Sequence, residues 1–124
     1  MLGIGVDLCE VERMRVALAR TPSLRARLFT DAEQAYCDRR NDPTERYAAR
    51  FAAKEAVLKA MGLGVGACKW TEIEVERAES GAPSVLLHGG ARQLSDDRGI
   101  ANWLLTLTHT SHTAEAIAVA LGPA

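Results

Sequence analysis

Two carboxylates and one lysine are the residues of this sequence whose types and spacing suit phosphate chemistry. Asp7 lies in the opening segment GIGVDL, where it alternates with Gly3 and Gly5, and Glu55 and Lys59 are four residues apart in RFAAKEAVLKAMG. Mg²⁺ takes one or two carboxylates from a protein and shares its other positions with water and substrate phosphates. A lysine beside such a pair would meet a phosphate oxygen as a point charge. If the two segments pack together, these side chains make a metal and phosphate site.

Both segments also have a purely structural interpretation. Glycine gives a strand no side chain to pack, so Gly3 and Gly5 either leave room for a ligand beside Asp7 or let a long helix cross closely over the strand. Glu55 and Lys59 alone form an i,i+4 pair typical of helix surfaces, worth about 0.3–0.5 kcal/mol. In either case the alternation predicts that the strand buries its aliphatic face, which consists of Leu2, Ile4, Val6 and Leu8.

The elements that position these residues follow from periodicity and capping signals. Apolar residues at helical spacing predict a first helix that ends before Thr21-Pro22, and Thr30 to Glu33 is a capping box that opens a second. The alanine-rich run that ends at Gly62 predicts a long third helix. The pattern predicts one α+β domain, residues 1–124, in which a small, largely antiparallel sheet packs on the long helix with shorter helices beside it. The predicted elements are a strand near 2–9, helices at 11–20, 31–39 and 44–61, strands at 71–77 and 84–88, a helix at 91–98 and strands at 102–110 and 114–121.

Length, composition and net charge limit the classes of protein to which this chain can belong. With 124 residues, 48% of them hydrophobic, the chain is long enough for one domain with a core, and its net charge of −1 gives no bulk attraction to nucleic acid or membrane. The three cysteines are odd in number and lack metal-ligand spacing, which is typical of a reducing compartment. No apolar run approaches the roughly 18 residues of a membrane span. We therefore expect a cytoplasmic protein with no membrane or nucleic-acid partner.

Arginines crowd the first helix and its exit and leave one alternative open. They are Arg13, Arg15, Arg20, Arg25 and Arg27. A small binding module could use them to hold nucleic-acid phosphates. That function would not explain Asp7 and Glu55, which repel phosphate in the absence of a metal, and the few aromatic residues offer little base stacking.

Three segments carry a resemblance to a known family. GIGVDLCEVERM, RFAAKEAVLKAMG and LTLTHT resemble, in order and approximate spacing, the signature segments of holo-[acyl-carrier-protein] synthase, the small bacterial class of 4′-phosphopantetheinyl transferases. The resemblance spans essentially the whole chain and implies the fold of that family. It also implies transfer of the phosphopantetheine arm of coenzyme A to a serine of an apo acyl carrier protein, with release of adenosine 3′,5′-bisphosphate, in fatty acid or polyketide biosynthesis.

The resemblance assigns roles to the residues of the candidate site. It implies that Asp7 and Glu55 bind Mg²⁺ and that Lys59 contacts the pyrophosphate of coenzyme A. With that resemblance, we interpret Gly3 and Gly5 as leaving room beside Asp7 for a hydrated metal ion and a pyrophosphate. Glu55 is also our candidate to accept the proton of the acceptor serine, either directly or through a metal-bound water.

Further ligand contacts are implied elsewhere in the chain. By resemblance, Arg50, His109 and Thr110 bind the phosphates of the nucleotide, and Lys54 lies close enough to the site to help bind coenzyme A. For Arg50 and Lys54, ordinary solvated charge is the alternative.

Partners follow from the same resemblance. Acyl carrier proteins are acidic and dock along the first helix of the family, which implies that Arg13, together with Arg20, contacts the carrier. Short members of the family are homotrimers with active sites at the subunit interfaces. Strand residues such as Trp103, Leu105 and Leu107 would need a partner to cover them. A trimer that keeps the fold without the activity is a third alternative, which the intact carboxylates disfavour.

Overall fold

The computed structural model describes residues 1–124 and contains five helices and five strands. Every strand pairing is antiparallel. The elements are β1 (Gly3–Glu10), α1 (Val11–Arg20), α2 (Leu24–Leu28), α3 (Asp31–Cys37), α4 (Thr44–Ala60), a 3₁₀ turn (Trp70–Glu72), β2 (Ile73–Arg77), β3 (Pro83–Leu87), α5 (Gly89–Asp97), β4 (Asn102–His109) and β5 (Thr113–Leu121).

The strands form two sheets. The main sheet has the order β1-β5-β4, so that the last strand lies between the first and the fourth, and β2 and β3 form a separate two-stranded sheet. The α+β class and the small antiparallel sheets on a long helix are confirmed. Helix α2 is an element that the sequence interpretation missed, because only Leu24 and Leu28 mark its five residues and the preceding Pro22 signals a break.

Helix α4 lies across the main sheet at unusually short range. Alanines at alternate positions of β5 are fully buried beneath it, and α4 presents alanines in return. An ideal Cβ on Gly3 would lie 1.9 Å from the carbonyl oxygen of Ala60, and one on Gly5 would lie 2.0 Å from that of Ala56. These glycines therefore allow α4 to cross close to β1. The interpretation that they leave room for a ligand is wrong, because the backbone of α4 fills that space.

The opposite face of the main sheet is uncovered. The prediction that β1 buries its aliphatic side chains is wrong for the single chain, since Leu2, Ile4, Val6 and Leu8 are all exposed. Leu104 on β4 joins them, and the register places it level with Ile4 across Val119 of β5.

The strand residues proposed from sequence to need a partner face the other way. Trp103, Leu105 and Leu107 pack against the core beneath α4 and are only partly exposed. The apolar surface that lacks cover thus belongs to the other side of the same strand. No helix is long and apolar enough to cross a membrane.

Candidate active site

Asp7, Glu55 and Lys59 meet at the edge of the crossing between β1 and α4, and we call them the carboxylate site. The Lys59 Nζ donates to Asp7 Oδ1 at 2.7 Å and lies 3.3 Å from the carbonyl oxygen of Val6. Asp7 is mostly buried, with 13% of its side chain exposed, whereas 54% of Lys59 is exposed. The lysine is therefore free to leave the carboxylate when another anion arrives.

Asp7 affects the protonation of Glu55 in this site. Burial, followed by the hydrogen bond and the charge of Asp7, raises the pKa of Glu55 to about 7. The hydrogen bond and charge of Asp7 also raise the pKa of Lys59. A proton on Glu55 thus removes the second negative charge that would otherwise lie beside Asp7. A divalent cation would supply that compensation with both carboxylates ionised, so this donor set fits Mg²⁺.

An apolar cavity of about 620 Å³ adjoins the carboxylate site. Asp7, Glu55 and Arg13 lie on its wall, and the remaining lining is largely hydrophobic, with Met14, Leu24, Leu28 and Phe51 among its residues. Arg13 and Arg20 are exposed on α1, seven residues apart and thus on one face of that helix. Neither of these arginines has a carboxylate within 4.0 Å.

A second, strongly basic cavity lies where the turn between β2 and β3 approaches the C-terminal end of β4. This basic pocket has a volume of about 230 Å³. No Asp or Glu lines it; Glu45 at its rim lies 3.3 Å from His109 Nδ1 and 3.9 Å from Arg40. Its polar side chains are Tyr36, Arg40, Arg46, Arg50, Arg77 and His109.

Arg50 is the most deeply placed charge of the basic pocket. Only 4% of the residue is exposed, its Nε is buried without any hydrogen-bond partner, and no carboxylate pairs with it. Its guanidinium lies 4.3 Å from the centre of the Tyr36 ring. A buried cation without a counterion is costly, so this group points to an anionic ligand. The geometry is consistent with the phosphate-binding role implied for Arg50 and with the placement of His109 beside it.

Lys54 has a different role from the one implied by the resemblance. Its ammonium is 0% exposed and donates to Glu33 Oε1 at 2.7 Å and to the carbonyl oxygens of Ile73 and Trp70 at 2.6 and 3.0 Å. All three of its protons are used, so Lys54 cannot bind coenzyme A in this structure, and that prediction is corrected. The partner Glu33 also forms the predicted capping box with Thr30.

Thr110 lies in the turn between β4 and β5 rather than in the basic pocket. Its hydroxyl oxygen accepts from the backbone N–H groups of His112 and Thr113, at 3.1 Å each. This contact fixes the turn that holds His109 at the end of β4. Within the single chain, the predicted phosphate contact of Thr110 is replaced by this structural role.

The carboxylate site and the basic pocket are separate within one chain. They share no lining residue. Arg50 and Glu55 are five positions apart, which places them about 140° apart around α4, so that the helix lies between the two regions. The sequence interpretation missed Arg46, Arg77 and Tyr36. Only the i,i+4 spacing of Arg46 and Arg50 signals a shared face, and nothing in the sequence brings α3 and β2 to it.

Comparison with known proteins identifies the family. The model of the 4′-phosphopantetheinyl transferase superfamily matches residues 3–119. Holo-[acyl-carrier-protein] synthase from Moorella thermoacetica is 46% identical over 119 residues, a match that covers 96% of this chain and 93% of the relative. The chain therefore belongs to the 4′-phosphopantetheinyl transferase superfamily, and the resemblance to its holo-[acyl-carrier-protein] synthases is confirmed.

Solved structures agree with this assignment. Holo-[acyl-carrier-protein] synthase from Neisseria meningitidis superposes with a TM-score of 0.89 at 27% identity and covers 98% of each chain. The synthase from Bacillus anthracis, solved in complex with coenzyme A (3′,5′-ADP), superposes with a TM-score of 0.82 at 28% identity and covers 98% of this chain and 97% of its own. The predicted fold and the prediction of a transferase are confirmed.

Proposed function

We propose that this protein transfers the 4′-phosphopantetheine group of coenzyme A to a serine of an apo acyl carrier protein, with Mg²⁺ as cofactor. The observation that carries the proposal is the meeting of Asp7, Glu55 and Lys59 at one edge of the helix crossing. The pathway, the cytoplasmic location and the single-domain organisation of residues 1–124 stay predictions from the sequence.

Asp7 and Glu55 are the residues that would hold the metal. Mg²⁺ bound there would neutralise charge on the pyrophosphate of coenzyme A and help to orient it. Lys59 is exposed, and Asp7 is the only carboxylate with which it forms an ion pair. It would therefore move to a pyrophosphate oxygen. Because phosphoryl transfer depends mainly on charge neutralisation and positioning, the protein needs no covalent intermediate.

The reaction places one proton on the protein. The serine oxygen attacks the phosphorus on the pantetheine side of the pyrophosphate. The bond from that phosphorus to the bridging oxygen breaks, and adenosine 3′,5′-bisphosphate leaves with the electron pair. Glu55 accepts the serine proton, either directly or through an intervening water, because it is the carboxylate beside the reacting groups that is not paired with Lys59.

The phosphates at the adenosine end of the donor would bind in the basic pocket, with Arg50 and His109 among their contacts. The support is chemical, since the pocket concentrates positive charge, buries an arginine without a counterion and has no acidic lining residue. A phosphate would give Arg50 the charge-assisted hydrogen bonds that it lacks.

The active sites would lie between subunits of a homotrimer. A single donor molecule must reach both the carboxylate site and a basic pocket, and α4 separates these two regions within each chain. The uncovered apolar face around Ile4, Val6 and Leu104 gives the chains a surface on which to associate. Closed symmetry would then bring the carboxylate site of one subunit to the basic pocket of the next.

The carrier protein would dock over α1. Arg13 borders both the apolar cavity and the carboxylate site, and Arg20 continues the same helix face, so an acidic carrier meets unpaired positive charge beside the reacting serine. An apolar side chain of the carrier could enter the cavity next to Met14 and Phe51. We expect charge reversal at Arg13 to raise the KM for the carrier and leave the KM for coenzyme A unchanged.

Mass spectrometry of the carrier tests the proposed function. Apo acyl carrier protein is incubated with coenzyme A and this protein, with Mg²⁺ or with EDTA. The carrier should gain one phosphopantetheinyl group only in the presence of the metal. Glu55→Gln should abolish the gain, whereas Glu12→Gln, which alters an exposed carboxylate paired with Arg15, should not. Equal modification with EDTA would contradict the metal requirement.

A further inference from the structure

Tyr36 stands at the centre of an unusual cluster of like charges. The guanidinium carbons of Arg46 and Arg50 lie 4.2 and 4.3 Å from the centre of its ring, and that of Arg77 lies at 5.4 Å. The three arginines come from α4 and β2 and meet on a residue of α3. None of the three pairs with a carboxylate, although Glu76 and Glu79 are close to Arg77 along the chain and line the adjoining cavity. The ring is therefore a surface shared by these three uncompensated cations, with Arg39 farther out at 5.9 Å.

The tyrosine makes two further contacts that fix this arrangement. Its carbonyl oxygen accepts from Arg46 Nη1 at 2.8 Å, and its hydroxyl accepts from Arg77 Nη1. Burial raises the pKa of the Tyr36 hydroxyl, but the hydrogen bond from Arg77 and the charges of Arg46 and Arg50 outweigh burial and lower it overall. The hydroxyl thus lies in a strongly positive field, as an added phosphate would.

Arg77 differs from its two neighbours in being able to move. It is exposed, and besides its hydrogen bond to the Tyr36 hydroxyl it forms only one other, from its Nε to the carbonyl oxygen of Gly81 at 3.0 Å. Tyr36 and Arg77 both line the basic pocket and the larger cavity behind it, so their contact forms the partition between the two. Arg77 can therefore turn into the pocket once a stronger acceptor than a neutral hydroxyl is present.

We infer that Tyr36 is a positioning residue of the basic pocket and that Arg77 is a phosphate-binding group that selects donors with a phosphomonoester on the adenosine ribose. The inference rests on the proposed function and adds to it the residues that distinguish coenzyme A from its form without the ribose phosphate. The aromatic face keeps Arg46 and Arg50 aimed at the pocket, and the hydroxyl holds Arg77 until a dianion replaces it.

Calorimetry with two nucleotides tests the inference on the whole protein without a carrier. The probes are adenosine 3′,5′-bisphosphate and adenosine 5′-monophosphate. Arg77→Gln should weaken binding of the bisphosphate about tenfold and change binding of the monophosphate less than about twofold, because the lost contact is charge-assisted and specific for the added phosphate. Arg92→Gln, which removes an exposed arginine of α5, is the matched control and should change neither.

Two substitutions of Tyr36 distinguish the contribution of its ring from that of its hydroxyl. Tyr36→Leu should weaken the bisphosphate about tenfold, and Tyr36→Phe, which keeps the aromatic face, should restore most of that loss. In turnover assays, Arg77→Gln should raise the KM for coenzyme A about tenfold with kcat nearly unchanged, and leave the KM for dephospho-coenzyme A unaltered. If Tyr36→Leu fails to fold, the Arg77 measurements decide.

Two results would overturn the inference in distinguishable ways. If the protein modifies its carrier but Arg77→Gln weakens both nucleotides equally or neither, Arg77 does not select the ribose phosphate and the inference alone fails. If the wild-type protein binds no adenosine nucleotide and modifies no carrier, the proposed function fails and the inference fails with it.

Discussion

The carboxylate site and the basic pocket handle charge in opposite ways. In the carboxylate site, Asp7 pairs with Lys59 and Glu55 can retain a proton, so the charges largely compensate one another. In the basic pocket, Arg46, Arg50 and Arg77 gather around one aromatic ring with no acidic lining residue. The first region is prepared to exchange a proton for a metal, and the second lacks an anion. Coenzyme A together with a divalent cation would satisfy both.

A similar contrast exists between two buried cations on α4. Lys54 and Arg50 are one helical turn apart and are both almost fully buried. Lys54 has three acceptors, whereas Arg50 has a single long contact to the carbonyl oxygen of Arg46, at 3.4 Å, and an unpartnered Nε. Buried charges that are fully paired serve the fold, and a buried charge without a partner indicates a ligand.

The largest effect on activity should come from the carboxylate site. Asp7→Asn keeps the shape of the side chain but removes the charge that the metal needs, so kcat should fall by about 10³-fold or more. The rate of mass gain on the carrier protein measures it, and binding of adenosine 3′,5′-bisphosphate should stay within about twofold, since the basic pocket is elsewhere. A loss of less than tenfold would mean that Asp7 is not a metal ligand.

The two buried cations should differ in how much the same substitution destabilises the protein. Lys54→Met leaves Glu33 charged and buried without its partner, so the free energy of unfolding should fall by about 3–5 kcal/mol. Arg50→Met removes an unpaired charge and should change that free energy by less than about 1 kcal/mol. Chemical denaturation measures both variants. Equal destabilisation would show that Arg50 has a structural partner after all.

The helix crossing beneath the carboxylate site leaves no room for a side chain at Gly5 of β1. Gly5→Ala places a methyl group against the backbone of Ala56 and should destabilise the protein by about 3 kcal/mol or more. Gly64→Ala is the matched control, because no atom lies within 4 Å of its Cβ position, and should stay within about 0.5 kcal/mol. A Gly5→Ala protein as stable as wild type would mean that α4 can lift off the strand without cost.

The smallest effect is a dependence of metal stabilisation on pH. Because the pKa of Glu55 is raised, the folded protein holds a proton that the unfolded chain loses at lower pH, and stability without metal should decline from about pH 5 to pH 7. Mg²⁺ must displace that proton, so its thermal shift should be larger at pH 8 than at pH 6. Glu55→Gln should lose this dependence, and an equal shift at both pH values in the wild-type protein would contradict it.

Local signals in the sequence predicted most of the fold. The capping box at Thr30 predicted the start of α3, and the alanine-rich run predicted α4. Alternation of apolar and polar residues predicted strands. The same alternation predicted the wrong buried face for β1, because a rule for one chain assumes that aliphatic residues face its own core. Glycine-on-alanine packing reverses that rule here, since the small residues let α4 approach and leave the aliphatic residues outside.

The candidate site was predictable only in part. Glu55 and Lys59 have an i,i+4 spacing and Asp7 lies among glycines, and both signals can be read from the sequence. The three side chains do meet in the structure. The basic pocket is lined by residues of α3, α4, β2, β3 and β4, and no sequence pattern brings these five elements together. The role of Lys54 was also hidden, because its partner Glu33 lies in a different helix and its other acceptors are backbone carbonyls.

Under the proposed function, the carboxylate site of one subunit works with the basic pocket of another. Asp7→Asn and a second variant, Arg50→Met with His109→Gln, each disable one of the two regions. Each protein alone should show almost no transfer. When they are unfolded together and refolded as a 1:1 mixture, transfer should recover to about a quarter of the wild-type rate, because some neighbouring subunits then supply one intact region each. Recovery would support shared sites. If the mixture is no more active than its components while the subunits have exchanged, both regions act within one chain and the account is wrong.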